Sequence, residues 1–363
     1  MSIQFDKARW EKVQQTSQSF WERSLPRPNY KYVITDAHVP NRPKPKTDII
    51  TQANVHDLSI PAEAIIDAWD YQLSCCEFLG DSFPYINFDF FGPGLVTALC
   101  GAKLDNSSGH VWFFPDKERE LCDIHFKYDP ENVWAKRVKD LYRAGMERWQ
   151  GSVLMSTPDL GGNFDSVAVM RGTENLLYDL YDEPEEVVRT LKEADIAWFE
   201  AFDDFHKILH PTDGSIQNPG YSDWNGLYSK TPSYVIQSDF SFNISTDMFA
   251  EFTLPQLELF INKLDHTIYH LDGYNEVKHL PLLLANEKLA AIQWVYGDGQ
   301  PTAPHWIDLY KQIEAANKGS HIIGTPAEFE FVEREVKKNL YYNYTSDYAY
   351  FKENKSVIEK YLR

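Results

Sequence analysis

The sequence is poor in cysteine, and its four cysteines form neither a disulfide framework nor a metal-binding one. Cys75 and Cys76 are adjacent, Cys100 and Cys122 stand apart, and no Cys-x-x-Cys spacing occurs. Small secreted domains that depend on disulfides carry many cysteines at regular spacings, whereas reduced thiols are typical of the cytoplasm. We therefore expect a cytoplasmic protein without disulfides.

Long hydrophobic runs and positive charge are also scarce. No segment approaches the ~20 consecutive apolar residues of a membrane-spanning helix, and the first residues lack the basic and apolar blocks of a signal peptide. Lysine and arginine total 35 against 54 aspartates and glutamates, which gives a net charge of −19. Because nucleic acids and anionic membranes are bound mainly through cationic side chains, this charge disfavours both as partners. The partner we expect is a small-molecule substrate.

Glycine-rich nucleotide-binding motifs are absent too, since neither a dinucleotide fingerprint nor a P-loop follows any candidate strand. What is present is an alternation of short β-rich runs and longer helical patterns. The candidate strands are Pro84–Phe90, Ser152–Thr157, Gln237–Phe242, Thr267–Asp272, Ala290–Val295 and Ser320–Ile323. The later strands recur at intervals of about 25 to 30 residues, the length of a βα unit. We therefore predict an α/β fold with a parallel sheet, either a (β/α)8 barrel or a doubly wound sheet.

The first 60 residues differ from the rest of the chain. They show no regular pattern, and Val39–Lys46 carries three prolines, which resist regular structure. We predict an N-terminal extension over residues 1–60 that wraps a catalytic domain over residues 61–363. Within that domain, Asp129, which precedes a proline, and the segment Thr325–Glu328 have the residues of helix starts.

The segment Thr267–Leu280 carries the strongest chemical signal. Its β-branched, apolar start predicts a strand that delivers His270 and Asp272, followed by a turn at Gly273. Residues two apart in a strand point the same way, so this imidazole and this carboxylate share one small volume. In an α/β barrel, the carboxyl ends of the strands carry the active site. We predict that both residues are catalytic; the alternative is a buried pair that stabilises the fold.

Several other predicted strands end in the same manner, with carboxylates, amides and aromatic residues. We predict Asp239 as a third catalytic residue. The residues that we predict to bind the substrate are Asn87, Asp89, Asp159, Asn163, Asp165, Gln293, Trp294 and Tyr296. Gathered at one edge of the sheet, they would line a polar pocket. The alternative for each residue taken alone is a role in capping a helix or closing a turn.

On these residues the chain resembles the uroporphyrinogen decarboxylase superfamily, which also contains the methylcobamide:coenzyme M methyltransferases. The similarity extends from about residue 60 to about residue 340 and rests on four segments. They are STPDLGGNFDSVAVMRG (156–172), DFSFNISTDMFAEFTLPQLELF (239–260), YHLDG (269–273) and AIQWVYGDG (291–299). The resemblance implies a (β/α)8 barrel whose site lies at the carboxyl ends of the strands.

Two departures from the family pattern concern the reaction. The decarboxylase grips the carboxylates of its substrate with an N-terminal arginine-rich segment, because arginine pairs with carboxylates in a bidentate manner. No such segment is present here, so the resemblance does not extend to the haem-pathway enzyme. The methyltransferases bind zinc through a His-x-Cys pair and a distant cysteine. Here His270 matches, but Asp272 takes the cysteine position and no cysteine follows Cys122.

The resemblance therefore leaves two kinds of site open. One is a zinc ion held by His270, Asp272 and either another carboxylate or His321; nitrogen and oxygen ligands would make it a harder centre, better suited to an oxygen than to a thiol. The other is a metal-free site in which His270 and Asp272 form an acid/base pair.

Three functions follow from these alternatives. The first, implied by the resemblance, is a methyltransferase in a corrinoid-linked demethylation pathway, with the methylcorrinoid carried by a partner protein. The second is a metal-free decarboxylase or other lyase that acts on a small non-porphyrin substrate. The third is a non-catalytic barrel that binds a small molecule. The resemblance to the decarboxylases also implies a homodimer.

Overall fold

The centre of the fold is a mainly parallel β-sheet with helices packed around it. The computed structural model describes residues 3–362. The first two residues of the predicted extension and the last residue of the predicted catalytic domain, 363, lie outside the described part. The strands are β1 (Asn29–Ile34), β2 (Glu77–Gly80), β3 (Tyr85–Ile86), β4 (Lys103–Asp105), β5 (Trp112–Phe114), β6 (Leu154–Met155), β7 (Ser233–Gln237), β8 (His266–Asp272), β9 (Ala291–Val295), β10 (Gly319–Ile322) and β11 (Leu340–Ser346).

Seven of these strands form one sheet in the order β2-β1-β11-β10-β9-β8-β7, while β3 pairs with β6 and β4 pairs with β5. All neighbours in the large sheet run parallel except β2, which is antiparallel to β1. The predicted α/β fold with a parallel sheet is therefore confirmed. Within residues 3–362 the hydrogen-bonded ladder does not close into a barrel, because β3 and β6 pair only with each other.

Helices connect the strands. They are α1 (Lys7–Trp21), α2 (Ala62–Cys75), α3 (Leu95–Leu99), α4 (Val133–Trp149), α5 (Asn163–Arg171), α6 (Thr173–Asp182), α7 (Pro184–Leu209), α8 (Thr246–Met248), α9 (Leu254–Lys263), α10 (Leu280–Ala285), α11 (Ile307–Ala315), α12 (Pro326–Glu335) and α13 (Tyr348–Ile358). Among the described residues, no helix combines the length and the apolar character that a membrane crossing requires.

Local sequence signals account for some helix starts and not for others. Thr325 and Glu328 form the predicted capping box at the start of α12. The prediction that a helix begins at Asp129 is wrong, because α4 begins at Val133 and Asn132 caps it by accepting a hydrogen bond from the backbone N–H of Trp134. A side chain that can bond to the free N–H groups decides where the helix begins.

Three predicted strands are shorter than expected, and one of them, Ser152–Thr157, is a strand only over β6. The segment Pro84–Phe90 is a strand only over β3, and a 3-10 turn follows at Asp89–Phe91. Gln237–Phe242 is likewise a strand only at its first residue, and a 3-10 turn occupies Asp239–Asn243.

The expectation of irregular structure in the first 60 residues is wrong for two segments. Helix α1 covers Lys7–Trp21, and β1 lies inside the main sheet between β2 and β11. Tyr30 and Tyr32 of β1 are fully buried. Strand β1 thus belongs to the sheet that carries the candidate site.

Candidate metal centre and active site

Two carboxylates and one imidazole converge at the carboxyl ends of β7 and β8. His270 and Asp272 lie two residues apart on β8, so both leave the same face of the sheet. Gln237, the last residue of β7, is in register with His270, and this pairing brings Asp239 beside Asp272. One ligand atom from each of Asp239, His270 and Asp272 lies within 4.8 Å of the other two. The structure thus brings together the three residues that were predicted to be catalytic.

The geometry of this cluster leaves a gap at its centre. Nε2 of His270 is 3.9 Å from Oδ1 of Asp239 and 3.9 Å from Oδ2 of Asp272. These distances exceed the ~2.7–3.2 Å of a hydrogen bond to nitrogen. The imidazole is 12% exposed, against 47% and 38% for the two carboxylates. The two carboxylates are therefore open to solvent, whereas the imidazole is largely shielded from it.

Gln293 fixes which nitrogen of His270 carries the proton. Its Oε1 is 2.6 Å from Nδ1 of His270, and its Nε2 is 2.8 Å from Nδ1 of His321. An amide oxygen only accepts, so His270 donates from Nδ1 and keeps a lone pair on Nε2. The row exists because His270, Gln293 and His321 are in register across β8, β9 and β10. The free lone pair of His270 therefore lies on the side of the two carboxylates.

Burial keeps His270 in the neutral form. Loss of hydration lowers the pKa of His270, while Asp272, the hydrogen bond to Gln293 and the charge of Asp165 oppose this shift without reversing it. A neutral imidazole with its lone pair on Nε2 is the form that binds a metal ion.

Asp165 holds Asp239 in place through the backbone. Its carboxylate accepts hydrogen bonds from the backbone N–H groups of Asp239 at 3.1 Å and Phe240 at 2.6 Å. These bonds fix the start of the 3-10 turn after β7. Asp165, which was predicted to bind the substrate, thus positions a residue of the cluster.

Crowding of carboxyl groups raises their affinity for protons. Burial, and then Asp272, raise the pKa of Asp239, although the exposure of its side chain lets water screen part of the repulsion. Burial, and then Asp239, raise the pKa of Asp159 to about 8. Glu276 is fully buried, accepts a hydrogen bond from the Tyr269 hydroxyl at 3.3 Å, and has a pKa raised well above its usual value by burial. These raised pKa values favour the protonated form of the carboxyl groups.

The donor set fits a divalent cation. Two carboxylates and one imidazole are ligands that zinc accepts, and a centre with three protein ligands keeps a position for a substrate or water. The outer nitrogen of the ligating histidine usually donates to a carbonyl or carboxylate oxygen, and His270 does so to Gln293. His321 was predicted as a third ligand, but the structure places it behind Gln293 and outside the cluster.

A cavity of about 470 Å³ lies beside the cluster. Trp224 borders it, and the Trp224 ring meets His270 edge-on, with ring centroids 5.0 Å apart. Asn87 and Asp89, both predicted to bind the substrate, line this cavity. Burial raises the pKa of Asp89. A volume of this size accommodates a small organic ligand.

Three other predicted residues lie away from the cluster. Trp294 is fully buried and packs against Trp306 with ring centroids 5.0 Å apart, because it follows Gln293 and so faces the opposite side of the strand. Asn163 is buried at the start of α5 and donates a hydrogen bond to Asp195. Tyr296 is half-buried after β9 and packs against the core.

The sequence interpretation missed Lys31, Trp224 and Glu276. Lys31 interrupts an aromatic strand (NYKYVI), and a charge at that place in a buried strand is a signal that could have been used. Trp224 lies in the loop before β7 and Glu276 in a 3-10 turn after β8. Neither of these two carries a local pattern that indicates a site.

Comparisons with known proteins show a likeness of fold to a solved structure. No family model matches the chain, and no curated protein matches it. Among solved structures, the chain is similar to a methyltransferase from Methanosarcina mazei with a TM-score of 0.60 and 10% sequence identity. The match covers 97% of this chain and 99% of that chain. At this identity the likeness shows the fold alone, so this chain has the fold of that methyltransferase over nearly its whole length.

Proposed function

We propose that this protein is a methyltransferase that uses a divalent metal ion held by Asp239, His270 and Asp272. The observation that carries the proposal is the position of His270 Nε2, which lies 3.9 Å from a carboxylate oxygen of Asp239 and 3.9 Å from one of Asp272. The fold shared with a methyltransferase supports the reaction class. The same comparison gives no support to the decarboxylase alternative.

A metal ion at this place supplies Lewis acidity, which favours the deprotonated form of a bound hydroxyl or thiol at neutral pH. The protein's own groups then have distinct roles. Gln293 keeps His270 in the neutral tautomer that is a ligand. Asp165 holds the backbone of Asp239. Burial, and then Asp239, raise the pKa of Asp159 to about 8, so this carboxyl group holds a proton at neutral pH and can act as a proton donor.

The ligand set favours an oxygen acceptor. Carboxylates are harder ligands than the thiolates of the coenzyme M methyltransferases, and they make a harder centre. We propose an alcohol or phenol oxygen, rather than a thiol, as the atom that is activated at the centre.

The finer features of the proposal concern the scaffold and the methyl donor. Six strands of the main sheet run parallel (β1 and β7–β11), and β3 and β6 form a further parallel pair. We propose that these eight strands are a divergent (β/α)8 barrel with the site at its mouth. We further propose that the donor is a methylcorrinoid presented by a partner protein, and that the chain is a cytoplasmic homodimer.

Metal content is the first test of this function. Untagged protein purified without chelator should contain about one zinc or similar ion per chain by elemental mass spectrometry. His270→Ala and Asp272→Asn should lose the ion, whereas His305→Ala, an exposed histidine outside the cluster, should keep it. Wild-type protein without stoichiometric metal would remove the metal-assisted mechanism.

Methyl transfer is the second test. Free methylcobalamin serves as donor, and small alcohols, phenols and thiols serve as acceptors, with loss of the methyl–cobalt absorbance as the readout. We expect demethylation that depends on the metal and on His270. Demethylation that is equal in His270→Ala would contradict the role of the cluster.

A further inference from the structure

The amine of Lys31 is buried in the large cavity without a full set of partners. Lys31 lies on β1, is 3% exposed and donates one hydrogen bond, to the backbone carbonyl of Gly226. Its Nζ also lies over two aromatic rings, 4.0 Å from the centroid of Phe83 and 5.3 Å from that of Tyr85. An ammonium group has three donors. Within residues 3–362 it forms no ion pair with a carboxylate, because Asp81, the acid whose charge acts on it, is already bound by Arg27 at 2.6 Å.

A second buried lysine shows what a satisfied amine looks like in this protein. Lys318 is 1% exposed and donates to two backbone carbonyls, those of Asn286 and Leu289. It does not line the cavity. Lys31 differs from Lys318 in having one carbonyl partner and in facing open volume.

The cavity has both apolar and polar walls. The apolar lining includes Val33, Ile50, Trp69, Leu73, Phe78 and Phe90. Lys31 is the one cation among the lining residues that the structure describes. Asn343 is in register with Lys31 on the neighbouring strand, and the side-chain oxygen of Asn87 is buried without a partner. The cavity thus combines apolar walls with one cationic group, Lys31, and one carboxyl group, Asp89, whose pKa is raised by burial.

One residue, Trp224, links the cavity to the cluster. Trp224 borders the cavity and meets His270 edge-on at 5.0 Å. His321 lies on β10, which stands between β1, the strand of Lys31, and β8, the strand of His270, in the order of the sheet. One ligand can therefore extend from Lys31 past Trp224 toward the cluster.

We propose that this cavity binds a monocarboxylic acid with an aromatic or aliphatic body, whose carboxylate accepts hydrogen bonds from Lys31. An anion is the partner that a buried ammonium with free donors lacks, and the ion pair is strengthened by low hydration. Burial lowers the pKa of Lys31 to about 7, so an arriving carboxylate draws a proton onto the amine. That this acid is the substrate rests on the proposed function; that it binds here does not.

Isothermal titration calorimetry at pH 7 tests the site with matched probes. The acids are benzoate, phenylacetate and hexanoate, and the controls are the corresponding uncharged amides. On metal-depleted wild-type protein, at least one acid should bind about tenfold or more tightly than its amide, since a hydrogen bond to a charged group is worth that much. Titrations in two buffers of different ionisation enthalpy should show proton uptake on binding.

Two variants assign the effect to the amine. Lys31→Met should lose the preference for acid over amide, whereas Lys318→Met, the matched buried lysine, should keep it. Equal affinity for acid and amide, no proton uptake, or no saturable binding of any acid at millimolar concentration would overturn the proposal. These wild-type outcomes stand even where Lys31→Met does not fold. Folded Lys31→Met should retain its metal, so failure of the metal centre and failure of the acid site are read separately.

Discussion

Replacement of Gln293 by leucine is the sharpest test of the site, because this one side chain controls the tautomer of the proposed ligand. The leucine side chain fills a similar volume but removes both hydrogen bonds of the amide. Nδ1–H of His270 then has no acceptor, and Nδ1 of His321 has no donor. His270 is free to shift its proton to Nε2, which would remove the lone pair that faces Asp239 and Asp272.

The size of the effect follows from the two lost bonds and the lost orientation. Each buried group left without a partner costs about 1–3 kcal/mol, so Gln293→Leu, which leaves two such groups, should lower the free energy of unfolding by about 2–6 kcal/mol. Loss of the residue that orients a ligating histidine typically lowers metal affinity about 10- to 100-fold, which is about 1.4–2.7 kcal/mol. Both numbers apply to the metal-loaded protein near neutral pH.

Gln293→Glu separates orientation from simple disruption. Glutamate keeps an acceptor for His270 but adds a negative charge, which raises the pKa of the imidazole. We expect near-normal metal affinity at pH 8 and a loss at pH 6, where protons compete for Nε2. Chelator competition at both pH values measures this, with the exposed Gln312→Leu as control. Equal metal affinity in wild-type and Gln293→Leu protein would refute the reasoning.

Three further predictions concern single residues. Asp272→Cys should raise the affinity for zinc over manganese in competition assays, because a thiolate is a softer ligand; an unchanged preference would mean that residue 272 does not bind the metal. Asp159 keeps its proton in the folded state up to about pH 8 but loses it near its usual pKa of 3.8 when unfolded, so stability falls as the pH rises through this window. Asp159→Asn should flatten that slope in urea unfolding at pH 5 and pH 8, and an unaltered slope would contradict the assignment. Thr325→Ala should lower the unfolding free energy by about 1 kcal/mol through loss of the capping box, with metal content unchanged; a variant as stable as wild-type would show that the cap contributes nothing.

Part of the site could be predicted because its signals are local. His270 and Asp272 are two residues apart in a strand, and that spacing alone places them on one face. Asp239 follows a buried strand, where turns carry polar residues. The same rule of alternation should have excluded Trp294, since a residue next to Gln293 in a strand faces the other side. That error lay in the interpretation, since the information was present.

The rest depends on contacts between distant segments. The row from His270 through Gln293 to His321 exists only because β8, β9 and β10 pair in one register, and no local pattern reveals a register. Lys31 lines the cavity because β1 lies inside the sheet, although the sequence pattern predicts irregular structure there. The capping box of α12 can be predicted from four consecutive residues, whereas the row of side chains and the cavity lining depend on how distant segments pack together.

The neutrality of Gln293 is an argument for a metal ligand over an acid/base histidine. Asp159, Asp165, Asp239 and Glu276 all have raised pKa values, so the region is already crowded with acids. An acid/base histidine usually has a carboxylate at its outer nitrogen, which stabilises the protonated ring. Here an amide takes that position, burial keeps the pKa of His270 low, and Nε2 retains its lone pair. A permanently available lone pair is what a metal ligand requires, and it is of less use to a group that must alternately bind and release a proton.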